Sequence, residues 1–217
     1  MKVALLIPEK PNTHPVLRQR SLCCQQQAVA SLQDAGIETV VFRDSRQAGD
    51  RPGLTLQQRV AITGPLRNAL VKDRILPDRT ITHVACIDAD IFYGKDMVRD
   101  LLRVTTCDIV APMVLIEGYQ SRFYDIAGFI EDSKYTPCYP PYFAQQSPIV
   151  RMRCVGSFYI VPAEIFHDGA TYWSPHPELV EHWGVCEFAR SQRYHVLCDT
   201  RKAVFHADLR NYGEAWH

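Results

Sequence analysis

The sequence predicts an α/β fold with a mostly parallel central sheet. An apolar run opens the chain, strand-like and helix-like patterns then alternate over the first two-thirds, and a third apolar strand stops at two carboxylates, Asp88 and Asp90. Strand–helix alternation of this kind builds a parallel sheet with helices on its faces. At 217 residues the chain fits one domain, 1–217, and buries a substantial core.

The elements follow in order. Residues 2–7 read as a buried strand, and 14–35 as a helix closed by Gly36. Residues 38–43 are rich in β-branched side chains and read as the second strand. A helical pattern over 54–75 contains Gly64-Pro65, where a break or kink is expected. Strand 80–87 leads into the acid pair, followed by a helix over 95–104 and a strand over 108–114. The stretch 117–150 is irregular and rich in Tyr, Phe and Pro, which suits either an aromatic wall for a ligand or a packed flap. Order returns with a strand over 152–161, a short helix over 163–167, a helix over 177–192, and strands over 194–198 and 202–206.

Composition narrows the function classes. Lys plus Arg and Asp plus Glu both number 24, so no global positive charge is available to hold nucleic acid or an anionic membrane. A local basic groove from Arg122, Lys134, Arg151 and Arg153 is compatible with that balance. The opening apolar run is too short for a signal peptide or a membrane span. Eight cysteines lie scattered with no Cys-x-x-Cys, several within apolar strands, which points to free thiols in a reducing cytoplasm.

The chemistry centres on Asp88-Ala89-Asp90. Successive strand side chains alternate faces, so acids two apart point the same way if the extension continues. Two adjacent carboxylates need a compensating cation, and hard oxygen ligands suit Mg²⁺ or Mn²⁺ carrying a phosphorylated ligand. Acids after a strand also occur in solvated turns, so the motif alone is weak. Its position adds weight, because open α/β sheets bind ligands at the carboxyl ends of their strands.

Several further features together resemble a GT-A type nucleotide-sugar glycosyltransferase. These are Arg67-Asn68 ahead of the acid strand, Asp88-Ala89-Asp90-Ile91, Gly156-Ser157, Cys186-Glu187 and His206. In order and spacing they are most similar to the fungal mannan-polymerase mannosyltransferase family over residues 55–208. Unlike those membrane-anchored enzymes, this sequence shows no anchor or stem, so a bacterial or phage cytoplasmic relative is the expectation and mannose is not carried over.

The resemblance implies a single αβα domain, with 1–115 binding the nucleotide sugar and 116–217 the acceptor. It implies a metal site from Asp88, Asp90 and His206, with Asp90 the direct ligand and Asp88 reaching the ribose or the metal through water. Arg67 and Asn68 would hold the donor, and Gly156 with Ser157 would lie near the donor sugar. Pro8 and Arg43 end the first two strands, where the nucleoside is expected. Arg59 lies eight residues before Arg67, close to two helical turns unless Gly64-Pro65 breaks the register. Glu187 is the candidate general base or orienting acid, with Glu181 and His182 as neighbours in its segment, and the family resemblance implies retention of configuration. The acceptor stays open between a glycan, a small molecule and a hydroxylated base in phage DNA, and the oligomeric state is open too. Alternatives are a nucleotidyltransferase, disfavoured by Pro8-Glu9-Lys10-Pro11 where a glycine-rich phosphate loop belongs, and a sugar-nucleotide-binding protein without transfer activity.

Overall fold

The computed structural model describes residues 1–9, 13–44, 55–124, 147–174, 180–208 and 211. Its centre is a nine-stranded mixed sheet. The first strand, β1 (Lys2–Pro8), lies between β2 (Glu38–Asp44) and β3 (His83–Ile87), parallel to both. Beyond β3 comes β8 (Phe158–Pro162), antiparallel, and then β5 (Ile109–Ile116), which restores the first direction and pairs in parallel with β9 (Val196–His206). The two-residue β4 (Ile91–Phe92) closes that edge, while β6 (Tyr119–Phe123) and β7 (Ile149–Arg151) pair off the main path with β5 and β9. Five strands therefore end at one edge, and that edge carries Pro8, Asp44, Asp88, Ile116 and His206.

Alternation along β1 builds two apolar layers. Ala4 and Leu6 face one core, and Val3, Leu5 and Ile7 face the other, all buried. Full burial of such side chains contributes roughly 1.5–3 kcal/mol each. Helix α1 (Pro15–Asp34) and α3 (Met97–Val104) cover the second core. On the first core, Leu70 of α2 (Leu56–Leu70), α4 (Ala163–His167) and α5 (His182–Ser191) join the packing. The His14 ring caps α1 by accepting from the Val16 N–H, and Pro15 supplies a preset φ at the first helical position.

Four expectations are corrected. The helix does not break at Gly64-Pro65: α2 runs through Pro65 and continues into a π-helical turn, Val71–Ile75. Gly64 has no Cβ to crowd the proline ring, which removes the clash that a proline imposes on the residue before it. The expected strand over 152–161 is strand only from Phe158; Met152 makes an isolated bridge, and a tight turn intervenes. Strands 194–198 and 202–206 form the single β9, whose register shifts where Asp199 and Ala203 face consecutive residues of β5. The helix expected over 177–192 begins at His182, with 175–179 outside the described residues. Most of the aromatic stretch, 125–146, also lies outside them.

Candidate active site

Asp88 leaves the end of β3, and its backbone is latched to the neighbouring turn. Its N–H donates to the Ser157 carbonyl at 2.8 Å. That turn is strained: Ser157 has φ of 58°, and the Phe158 N–H donates back to the Gly156 carbonyl at 2.5 Å. A non-glycine residue at positive φ inside a γ-turn persists only where its surroundings enforce it. Gly156 and Ser157 thus fix the floor on which Asp88 rests.

The side chains of the acid pair diverge. Asp88 Oδ1 accepts from Arg67 Nη2 at 2.5 Å, and Arg67 Nε donates to Glu181 Oε1 at 2.8 Å. The buried guanidinium also lies 5.7 Å from the Tyr172 ring. Burial opposes ionisation of Glu181, yet the neighbouring His182 and Arg67 hold its carboxyl down at about 2. Behind it, His182 Nδ1 meets the Tyr159 hydroxyl at 3.2 Å, Tyr159 donates to the Tyr172 hydroxyl at 3.0 Å, and Tyr172 meets the Cys86 thiol at 3.2 Å. Burial lowers the His182 pKa and pushes the Cys86 thiol up to about 11.

Asp90 turns to β9. Its Oδ2 lies 3.3 Å from His206 Nε2, while the Ala207 N–H donates to its carbonyl at 2.8 Å. The other ring nitrogen, Nδ1, donates to the Ala207 carbonyl at 2.8 Å, and Tyr124 stacks on the imidazole at 3.8 Å. Burial would lower His206, but Asp90 and the Ala207 carbonyl outweigh it and raise its pKa.

The three expected metal ligands therefore separate into a pair and an anchor. Among the described residues no group of three His, Cys, Asp or Glu side chains is arranged to hold a metal ion. Asp88, expected to reach the ribose or the metal through water, is paired with Arg67, a fixed cation. Asp90 and His206 do suit a divalent cation. A carboxylate and an imidazole are ligand types such ions use, and the Nδ1–H bond to the Ala207 carbonyl is the outer hydrogen bond that orients such a ring, with Nε2 facing Asp90.

The remaining expected residues fall as follows. Asn68 is bonded to the Tyr172 backbone, donating to its carbonyl at 2.9 Å and accepting from its N–H at 2.7 Å, and so ties α2 to that segment. Pro8 and Arg43 end β1 and β2, and Arg43 Nε donates to Glu9 Oε2 at 2.7 Å while Arg18 holds Oε1 at 2.6 Å. Arg59 sits on α2 with its side chain outside the described set. Glu187 is exposed on α5. The acid of that segment that reaches Asp88, through Arg67, is Glu181. Of the basic groove, Lys134 is outside the described residues, Arg122 and Arg151 are exposed, and Arg153 lies 6.0 Å from the Trp183 ring. Sequence reasoning missed Tyr124, Tyr159 and Tyr172, whose only signal is aromatic character.

No family model and no curated protein matches the chain. Among solved structures, a Drosophila β-1,4-galactosyltransferase 7 complexed with manganese, UDP-Gal and xylobiose is similar over 98% of this chain and 73% of its own, at 16% identity and a TM-score of 0.52. TarS from S. aureus matches 98% of this chain and 62% of its own, at 12% identity and a TM-score of 0.48. A glycosyltransferase involved in glycosylation of the major capsid of PBCV-1 matches 95% and 82%, at 8% identity and a TM-score of 0.44. None of these neighbours is described as a mannan-polymerase mannosyltransferase, and that finer resemblance is not confirmed. No helix among the described residues is long and apolar enough to cross a membrane. The fold is the mixed α/β fold found in GT-A-like glycosyltransferases.

Proposed function

We propose that this protein is a metal-dependent glycosyltransferase that moves a sugar from a nucleotide-diphosphate donor to a hydroxyl acceptor. The observation that carries the reading is the Asp90–His206 pair, held beside the Arg67–Asp88 pair at the carboxyl edge of the parallel strands. Asp90 and His206 would hold Mn²⁺ or Mg²⁺, which supplies Lewis acidity to a leaving diphosphate.

The chain's own residues do the rest. Arg67 pairs with Asp88 and orients its carboxylate, and the Ser157 turn fixes its backbone. Pro8, Glu9 and Arg43 form the strand ends beside which the nucleoside binds. Glu181, held at about 2, is too weak a base to deprotonate an acceptor hydroxyl, and Glu187 faces solvent. That arrangement favours transfer with retention.

A thermal-shift panel of UDP, GDP, CDP and their sugars, with and without Mn²⁺, tests the reading. A metal-dependent shift with one nucleotide, lost in Asp90→Ala, is expected. No shift with any nucleotide, or one that survives in Asp90→Ala, overturns it. Binding without turnover on any acceptor would favour a sugar-nucleotide-binding protein.

A further inference from the structure

Strand β9 carries a bulge that its pairing with β5 does not require. Asp199 and Ala203 face Pro112 and Met113, consecutive residues of β5, so Thr200, Arg201 and Lys202 stand out of that ladder. The bulge is pinned at its start. The Thr200 N–H and hydroxyl both donate to the Pro148 carbonyl, at 2.9 and 3.0 Å. Asp199, fully buried, then accepts from the Arg201 N–H at 3.1 Å, from its Nε at 2.8 Å and from its Nη2 at 2.9 Å.

As a stabilising device this pair is poor. A carboxylate loses its hydration on burial, and a buried ion pair seldom outdoes an apolar replacement. Burial raises the Asp199 pKa, and Arg201 outweighs it, so the carboxyl stays below its ordinary value. What the pair does produce is a guanidinium fixed in place while its side chain remains 59% exposed. Asp199 occupies two of the five side-chain N–H donors of Arg201, which leaves three for another acceptor.

Arg201 borders an open cleft of about 570 Å³ between α3, the bulge and Ile149 of β7. Lys202 and Arg103 line it as well. Lys202 Nζ donates to Asp100 at 2.5 Å, and Arg103 Nη1 lies 3.6 Å from the same carboxylate with its side chain 68% exposed. Three cations thus meet two carboxylates, Asp100 and Asp199, and one positive charge is left over. The cleft has the size of a small-molecule site, more than a bare anion fills. Two guanidinium groups flanking an ammonium suit a phosphate, whose oxygens accept from several directions at once. The place is separate from the metal pair, because His206 lies four residues beyond Lys202, about 13 Å along the strand.

We propose that the β9 bulge and α3 form a binding site for a phosphorylated small molecule, with Arg201, Lys202 and Arg103 holding its phosphate. The site does not rest on the glycosyltransferase reading.

The test titrates the full chain calorimetrically with inorganic phosphate, pyrophosphate and glucose 6-phosphate. EDTA is present, so that no divalent ion bridges a probe to Asp90 and His206. At least one probe is expected to bind, and more weakly as salt rises. Arg103→Glu should weaken that binding about tenfold or more, with its thermal midpoint unchanged because the side chain is exposed. Arg201→Lys, which keeps the charge and loses the fork, should weaken it too, and Asp90→Ala should leave it intact. No binding of any probe, binding untouched by Arg103→Glu, or binding abolished in Asp90→Ala overturns the proposal. A DNA duplex that binds where all three probes fail overturns it as well. Phosphate binding in EDTA without a Mn²⁺-dependent nucleotide shift supports this site and sinks the transferase reading; a nucleotide shift without phosphate binding does the reverse.

Discussion

Asp88 and Asp90 stand two positions apart and are equally exposed, 22% each, yet they pair with different elements, Asp88 with Arg67 of α2 and Asp90 with His206 of β9. Asp88 meets a guanidinium whose charge is permanent, backed by Glu181 and a run of bonded rings reaching Cys86. Asp90 meets an imidazole on β9, whose charge depends on what else is near. A fixed cation turns one carboxylate into an anchor. A neutralisable partner leaves the other able to accept a cation from solution. Identical side chains thus acquire different work from their neighbours, and each half of that contrast can be attacked separately.

The heaviest blow falls on the anchored side. Arg67→Met strands Asp88 and Glu181 as uncompensated partly buried charges, and is expected to cost about 3–5 kcal/mol in a denaturant titration. A loss under about 1 kcal/mol would mean that both acids relax into water, and the anchor description would be wrong.

Acid reaches the same side next. Glu181 has a folded pKa lowered to about 2 from 4.5, so its contribution is fully present above pH 4.5 and is lost as pH falls toward 2. That difference corresponds to stability on the order of 3 kcal/mol. His182 adds in the same direction. Burial keeps it neutral in the fold, so the unfolded chain gains its proton first once pH drops below 6.5. Unfolding curves at pH 7, 4 and 3 for the wild type and Glu181→Gln isolate the carboxylate, and parallel pH profiles for the two would refute its role.

Asp90→Asn should behave in the opposite manner. Its partial exposure limits the stability change to under about 1 kcal/mol, while Mn²⁺-dependent nucleotide affinity should fall on the order of 100-fold. Calorimetric titration beside a denaturant curve reads both quantities. A stability loss as large as that of Arg67→Met would erase the contrast between the two acids.

Much of this arrangement was legible because it is local. The apolar runs of β1, β2, β3 and β5, and the capping signals of α1, sit within a few residues of what they control. Pairings between distant segments were not. Ile91–Phe92 is a strand only because His206 and Phe205 lie beside it, and no two-residue window announces that. The acid pair and His206 stood out by residue type, but the partner of each acid did not. Arg67 reaches Glu181 across 114 residues. Which acid of that segment is buried turned on where α5 begins, since Glu181 lies just before the helix and is buried while Glu187 lies on its exposed face. Burial, which decides whether a charge anchors or reacts, is a property of the assembled sheet.

The smallest effects sharpen the contrast through two tyrosines of opposite standing. On the Asp88 side, the Tyr159 hydroxyl bonds both Tyr172 and His182. On the Asp90 side, Tyr93 packs edge-on against Phe158 at 4.9 Å, and its buried hydroxyl has no hydrogen-bond partner among the described residues. Removing a bonded hydroxyl strands its partners, so Tyr159→Phe should cost about 1–2 kcal/mol. Removing an orphaned one relieves a desolvation penalty with no bond lost, so Tyr93→Phe should gain up to about 1 kcal/mol. Denaturant midpoints moving in opposite directions are the expected result. A loss in Tyr93→Phe would mean that its hydroxyl has a partner after all, and the polar network would then extend beneath Asp90 as well as Asp88.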